Sequence, residues 1–560
     1  MLNAALLELK SKETSFTSNS LKGYHFDQRL LQAVNAWENI LGQDKVSFQV
    51  ESYQKNTIDS HREIPAVLKL STTEEVAQAI KIAQKFNIKV YPISTGNNWG
   101  YGSSLPVSEN CVIFDLKAMN KIVHFDPELG TVSVEPGVTQ QMLYDFLQKH
   151  NSPFLVPVTG AGPNCSILGN ALERGYGITP HTDHFAAVNC LTAVLPNGEV
   201  YRSNFSEVNA EQIDKIHKWG LGPYLDGIFT QSNMGIVTQI TIDLKKKPER
   251  IEFFTFKINQ DAKLEETVKI IQEILEEVGD NLSGINLMND NRVISMSADF
   301  PFDQLNADGS NHDEVFDRIA KKLHITPWTG IGAIYGSKEI VKAVKKIIAK
   351  KIKKVAGFTI FIDRKKIDFV KKIYSKVPFL QRPFLTNLIE KVDSTLKILE
   401  GIPQKVAIPL AYWKNKTVTY SGHDKNHNPA QDNCGLIWFT PLIPLKMKDI
   451  RKYTETVKRV CKANKIEPLI TMTTLSEKCV DSSVPILFDR SNAEECVNAK
   501  KCYLELFEEC SKLGYLPYRM GVDNMYLATE NKTSFWNLVS KLKDSIDPSN
   551  ILSPGRYCPV

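Results

Sequence analysis

The chain has 560 residues, 42% of them apolar and 23% charged, which leaves room for two or more domains of an ordinary globular protein. A net charge of +5 is thin over that length. No nucleic-acid partner is expected, and the lysines at 245–247 and in "VKKIIAKKIKKV" read as solvated faces. No apolar run reaches the roughly 18 residues of a membrane span, the opening "MLNAALLELKSKETS" lacks the basic start and cleavage site of a secretory signal, and ten cysteines lack metal or haem spacing. Together these predict a cytoplasmic protein with reduced thiols.

Residues 27–63 read as a short helix and a linker. "STTEEVAQAIKIAQKFNI" has helical spacing at Val76, Ala79, Ile80 and Ala83, with Ser71 or Thr72 as the cap and Glu74 and Glu75 in the first turn. "IKVYPIS" is a strand running into a glycine loop, "STGNNWGYGSS". "CVIFDL" and "GTVSVEPG" are strands, "TQQMLYDFLQKH" a helix, and "LTAVLPNGEVYR" a hairpin around Asn197-Gly198. "FTQSNMGIVTQITIDL" leads through a glycine into another strand. The texture changes at about residue 248. Beyond it, "IEFFTFKI", "LEETVKIIQEILEEV" and "SKEIVKAVKKIIAKK" predict a second α+β domain to about residue 500, and the C-terminal segment returns to the first.

"TGIGAIYGSKEIV" resembles a dinucleotide fingerprint, but Gly330 and Gly332 fall inside an apolar strand pattern and no acidic partner follows. It reads instead as a strand followed by a helix capped by Ser337. His181 and His184 in "TPHTDHF", and His423, His427 and Cys434 in "GHDKNHNPAQDNC", lack a recognised metal spacing, so no metal is expected. Three glycine-rich stretches carry a different signal: "STGNNWGYGSS", "TGAGPNCSILGNALERGYGITP" and "SNMGIVT". Glycines let backbone N–H groups approach a ligand and form an anion nest without a lysine. Loops of this kind can clamp a pyrophosphate between them.

"PISTGNNWGYGSSLP", "GNALERGYGITPHTDHF", "KWGLGPYLDGIFTQSNMGIVT", "YRMGVDNM" and "DPSNILSPGRY" together resemble the vanillyl-alcohol oxidase and para-cresol methylhydroxylase family of FAD-linked oxidases. The resemblance covers residues 60–250 and 500–560 well and the middle more loosely. It implies an α+β fold: an FAD-binding domain of two α+β subdomains over residues 63–248, after an N-terminal segment at 1–62, and a cap domain with an antiparallel sheet over 249–500. Residues 501–560 would return to the FAD-binding domain. It further implies FAD contacts at Pro92, Ile93, Ser94, Thr95, Gly96, Asn97, Asn98, Gly102 and Ser103. A second set would be Gly169, Asn170, Glu173, Gly175, Gly177, Asp183 and His184, and a third Gly235, Ile236 and Val237.

The family's phenol oxidisers hold a substrate phenolate with a tyrosine of the first loop and a Tyr-Arg pair near the C-terminus. The matching residues are Tyr101, Tyr518 and Arg519, and Arg556 matches a basic residue beside the flavin. Two hydroxyl donors and a guanidinium favour the ionised phenol, and an ionised para-alkylphenol releases a benzylic hydride to flavin N5, leaving a quinone methide. The sequence departs from the family at several points. "CGLIWFTP" has no flavin-linking His, and Asn97-Asn98 stand where other relatives link through His. Tyr412, in "PLAYWKN", is the counterpart of the methylhydroxylase's flavin-linking Tyr that the resemblance implies, and the alternative is FAD held without a covalent link. "PVTGAGPNCSILGN" has no acid, and the counterparts of a cap Glu and His pair are absent from "LITMTTLSEKCVD", so either His181 or water would take the proton, or the substrate is not a simple para-alkylphenol. The resemblance thus implies oxidation of a 4-hydroxybenzylic alcohol or para-alkylphenol, with oxygen or a separate cytochrome as electron acceptor and a homodimer or larger assembly. The alternatives are an aliphatic alcohol, hydroxy acid or biosynthetic intermediate as substrate, and a flavin-binding protein without catalysis.

Overall fold

The computed structural model describes residues 28–177, 183–306, 311–376, 383–420, 427–531 and 533–559. The first sheet holds β1 (Val46–Ser47), β2 (Val67–Lys69), β3 (Val90–Ile93) and β4 (Val112–Asp115) in the order β1-β2-β4-β3, with β2 and β3 parallel to β4. Helices α1 (Gln28–Leu41) and α2 (Thr73–Phe86) cover it. Thr72 caps α2 by accepting from Glu75 N at 3.1 Å, with Glu74 and Glu75 in the first turn. Trp37, Ile80 and Phe114 are fully buried between helices and sheet. Burial of each of these side chains is worth about 2–3 kcal/mol of transfer free energy.

The second sheet is antiparallel, in the order β5-β6-β9-β7-β8, from β5 (Ile122–Asp126), β6 (Thr131–Val134), β7 (Val188–Val194), β8 (Val200–Arg202) and β9 (Ile236–Asp243). β7 and β8 are the hairpin expected at Asn197-Gly198, where Gly198 takes φ +80°. Two helices cross this part. Thr139 caps α3 (Gln140–Lys149), and Ser166 caps α4 (Ile167–Leu172) by accepting from Gly169 N at 2.9 Å.

A larger antiparallel sheet follows residue 248. Its strands are β10 (Arg250–Ile258), β11 (Asn286–Asn289), β12 (Trp328–Gly336), β13 (Thr359–Asp363), β14 (Gly435–Phe439), β15 (Leu442–Pro444), β16 (Thr471–Thr474) and β17 (Cys479–Phe488). The order is β13-β10-β12-β11-β16-β17-β14, with β15 also on β17. Helices of this part include α5 (Leu264–Val278), α6 (Asp290–Ser295), α7 (Lys338–Ile352), α8 (Met447–Ala463) and α9 (Ala493–Lys512). Apolar faces of α5, α7, α8 and α9 pack with the sheet in one core. Gly330 and Gly332 lie within β12 because a Cβ there would stand 2.0 Å and 2.6 Å from the rings of Phe256 and Phe254. Ser337 caps α7 by accepting from Ile340 N. The stretch therefore packs aromatic rings in a strand and does not form a glycine loop between strand and helix.

After α10 (Ser534–Ile546) the backbone re-enters the first sheet. Val90 N donates to Ile551 O and Ser553 N to Val90 O, both at 2.8 Å. The Lys543 ammonium, 3% exposed, donates to Asp547 (2.6 Å), Asn233 O (2.8 Å) and Leu552 O (2.9 Å). Asp547 in turn accepts from the N–H groups of Ile551 and Leu552. This buried pair, with every charge hydrogen-bonded, fixes the path that carries Arg556 inward.

Candidate active site

β3 ends at Ile93, and the loop that follows is the wall of a cavity of about 400 Å³. Its glycines are required by geometry. Gly96 takes φ +69° and Gly100 φ +79°, and a Cβ would stand 2.4 Å from Ser104 Oγ at the first and 2.1 Å from the Trp438 ring at the second. Among the described residues no acceptor takes the N–H groups of Thr95, Gly96, Asn97 and Asn98. The Ser103 hydroxyl, also buried, has no partner there either. Unpaired donors facing one cavity call for an anion.

The second glycine-rich stretch forms the opposing wall around α4. A Cβ on Gly169 would stand 2.6 Å from Ser94 Oγ, so the two loops approach closely at that point. The third wall is the entry to β9. In all, Pro92, Ile93, Ser94, Thr95, Gly96, Asn97, Asn98, Ser103, Gly169, Asn170, Glu173, Gly175, Gly235, Ile236 and Val237 line one cavity together with Tyr101, Tyr518, Arg519 and Arg556. Five other expected contacts stand behind this lining. Gly102 (φ +123°) packs on Val522, and Gly177 faces His184 and Val158 O. Asp183 accepts from Ala186 N at 2.9 Å, and His184 Nδ1 lies 2.6 Å from Asn170 Nδ2. The Tyr412 hydroxyl donates to Asp432 at 2.5 Å and is not part of the lining, although Leu410 and Ala411 are. His181 and His423 lie outside the described residues. Among the described residues no cluster of His, Cys, Asp or Glu could hold a metal.

Glu173 organises the charges. Arg556 donates to its Oε1, and Arg519 Nε stands 3.3 Å from its Oε2. Burial would raise the Glu173 pKa, but the guanidiniums of Arg556 and Arg519 hold it below the usual carboxylate range. Arg556 also donates to Ser232 O (3.1 Å) and the Tyr91 hydroxyl (3.3 Å), and Arg519 to Asn98 Oδ1 (2.5 Å). Two cations and one anion leave the cluster with one net positive charge. Arg519 lies 4.3 Å over the Tyr101 ring, and Tyr101 donates to Thr440 Oγ1 at 3.4 Å. Burial pushes the Tyr101 pKa up to about 12, and that of Tyr518 well above its ordinary value. Both phenols are therefore hydroxyl donors at neutral pH.

Four further residues escaped the sequence reading. Trp438 and Thr440 line the cavity from "CGLIWFTP", a run that drew attention only for its missing His. Asp481 on β17 is buried, with one carboxylate oxygen unpaired, and burial pushes its pKa up to about 7. It is close enough to raise the pKa values of Tyr518 and Tyr101. Arg292 of α6 also lines the cavity. In sequence, "NDNRVIS" and "CVDSS" look like ordinary polar positions on a helix and a strand.

Residues 64–204 match the FAD binding domain family and residues 451–557 the C-terminal domain of FAD linked oxidases. The 1'-carboxy-chondrochloren decarboxylase of Chondromyces crocatus is 31% identical, over 95% of this chain and 97% of its own. The chain belongs to the vanillyl-alcohol oxidase and para-cresol methylhydroxylase family. The flavoprotein subunit of 4-cresol dehydrogenase (hydroxylating) from Pseudomonas putida is 29% identical over 94% of this chain and 95% of its own. A crystal structure of p-cresol methylhydroxylase with substrate bound superposes with a TM-score of 0.82 at 27% identity, covering 96% of this chain and 98% of the other. As a member of this family the protein is an FAD-linked oxidoreductase. The amide nest, the Ser103 hydroxyl and the net positive Glu173 cluster fit FAD, whose pyrophosphate and reduced ring are anionic.

Proposed function

We propose that the protein oxidises a para-substituted phenol at its benzylic carbon. The observation that carries this reading is the grouping of Tyr101, Tyr518 and Arg519 in one cavity, with Arg519 stacked over the Tyr101 ring at 4.3 Å. Neutral tyrosine hydroxyls and a buried guanidinium stabilise a phenolate more than a phenol. Phenolate formation pushes electron density to the para carbon, so that loss of a benzylic hydride leaves a quinone methide. FAD, when bound, accepts that hydride. Water added to the quinone methide gives the 4-hydroxybenzylic product. Asp481, titrating near neutrality beside the tyrosines, is suited to hold a proton during this step. Residues 63–248 with 501–560 form the cofactor-holding part in this reading, and 249–500 the cap. Oxygen or a separate cytochrome then removes the electrons.

The test is anaerobic mixing of the holoenzyme with 4-hydroxybenzyl alcohol and 4-ethylphenol. Rapid bleaching of the flavin by either is expected. Bleaching by aliphatic alcohols or hydroxy acids alone would replace the reading, and no bleaching by any donor would leave a binding protein.

A second reading is favoured by the relative named as a carboxy-chondrochloren decarboxylase. Here the quinone methide carries a carboxylate on the carbon next to the benzylic one. The bond to that carboxylate breaks and CO2 leaves. The bonding electron pair restores the phenolate while forming a carbon–carbon double bond beside the ring. Release of one CO2 per flavin reduced separates the two readings.

A further inference from the structure

Three arginines line the cavity, and their surroundings differ. Arg519 and Arg556 share Glu173. Arg292 forms no ion pair among the described residues; its Nη1 donates to Ser295 Oγ at 3.1 Å, leaving most of its five N–H donors uncommitted. The adjacent Asp290 accepts from Asn291 N and does not pair with it. Burial pulls the Arg292 pKa down to about 10, which still leaves it charged at neutral pH. A cation partly removed from water and without a counter-ion is costly unless a ligand brings the anion.

Its position is also informative. α6 follows β11 directly, and Asn289 caps it by accepting from Arg292 N at 3.1 Å. Ile294 of the same helix packs in one apolar cluster with Ile408, Leu410, Ala411 and Leu436, all lining residues. In the sheet, Met288 pairs with Thr471 and Thr471 with Ser483; the next residue, Val484, pairs with Phe439, just before Thr440. Thr440 accepts from Tyr101 and donates to Arg519 O. The end of β11 is thus three strand spacings, roughly 14 Å of backbone, from the end of β14 beside Thr440. With Arg292 and the tyrosine-arginine group both lining the cavity between, there is room for an aromatic ring with a short substituent across apolar walls and an anion at the Arg292 side.

We infer that Arg292 binds a carboxylate on the substrate's para substituent, so that the enzyme acts on 4-hydroxyphenyl compounds bearing an acid. The inference rests on the phenol reading above and holds whether the carboxylate is kept or lost. A planar guanidinium pairs with a carboxylate through two parallel hydrogen bonds, which an ammonium reproduces only in part.

The experiment compares 3-(4-hydroxyphenyl)propanoate with its uncharged primary amide on wild-type, Arg292→Met and Arg292→Lys holoenzymes. Wild type is expected to favour the acid by about 100-fold in kcat/KM for flavin reduction. Arg292→Met should erase that preference by slowing the acid far more than the amide, and Arg292→Lys should keep part of it. Equal losses on both compounds, or an unchanged preference, would overturn the inference. So would loss of bound flavin in Arg292→Met, because the cation would then serve the cofactor. If neither compound bleaches the flavin, the phenol reading fails, and binding of the acid, followed by its perturbation of the flavin spectrum, decides the matter. About 100-fold weaker binding in Arg292→Met supports a carboxylate site, and unchanged binding refutes it.

Discussion

Of the three guanidiniums that line the cavity, two share a carboxylate, and the third, among the described residues, bonds only a serine hydroxyl. The first group is complete without a ligand. Both of its arginines share Glu173, Ser232, Tyr91 and Asn98 take further hydrogen bonds from them, and one positive charge is left over for an anion. Arg292 has no such frame. Paired charges fix a site before binding; an unpaired one reports what the site is for.

This contrast can be broken at its stronger end first. Glu173→Gln leaves two buried guanidiniums facing each other, and should cost about 3–5 kcal/mol in urea unfolding and release FAD on gel filtration. Arg292→Met removes an unpaired cation and should cost under about 1 kcal/mol in the same assay. Equal costs would mean that Arg292 has a partner as strong as Glu173.

Next in size is Arg519→Lys. It keeps the charge and loses the planar fork, so flavin reduction by 4-hydroxybenzyl alcohol should slow about 100-fold at unchanged FAD content. A change below about 3-fold would remove Arg519 from substrate binding.

Asp481 beside the paired end sharpens the comparison through pH. Its folded-state pKa of about 7 lies above the ordinary 3.8. Stability from its protonated form is therefore full below pH 3.8 and is lost as pH rises to about 7. Relative to wild type, Asp481→Asn should gain about 2 kcal/mol by pH 7, a figure discounted for relaxation of the buried carboxylate, with the gain vanishing below about pH 4. Parallel stability curves from about pH 4 to 7 would exclude a raised pKa. Flavin reduction should also lose its pH step near 7 in this variant.

The smallest effect belongs to Tyr412, which belongs to neither end. Its hydroxyl is held by Asp432 behind the wall. Tyr412→Phe should cost about 1–2 kcal/mol and leave unchanged the fraction of flavin released by acid precipitation. A switch from a yellow pellet to a yellow supernatant would restore it as the covalent link.

The same division explains what could be read from the amino-acid order. Where the ligand is held by backbone N–H groups, the sequence must carry glycines, because only they allow φ +69° at Gly96 or the close approach of Gly169 to Ser94. That part of the cavity was legible as three glycine-rich loops. α2 and α7 were legible through their caps and periodicity. On the cap side the lining is made by side chains such as Arg292, Trp438 and Thr440. Nothing local marks them, since their meaning depends on strand order, which brings β11 within three places of β14. Tyr412 shows the same dependence. Its neighbours Leu410 and Ala411 reach the cavity, and the 3-10 turn aims its hydroxyl elsewhere.

The pair of Lys543 and Asp547 also sets a schedule. Arg556 reaches Glu173 across 383 residues of sequence, on a segment held in place by the bonds of Lys543 and Val90. A ribosome that has completed the first two sheets and the cap has therefore not yet made a charge-balanced site. Until residue 519 is made, the Glu173 carboxylate lacks both of its arginines. Arg519 supplies the first counter-charge to Glu173 and Arg556, nearer the C-terminus, the second, so the surplus positive charge of the cluster is the last part of it to be made.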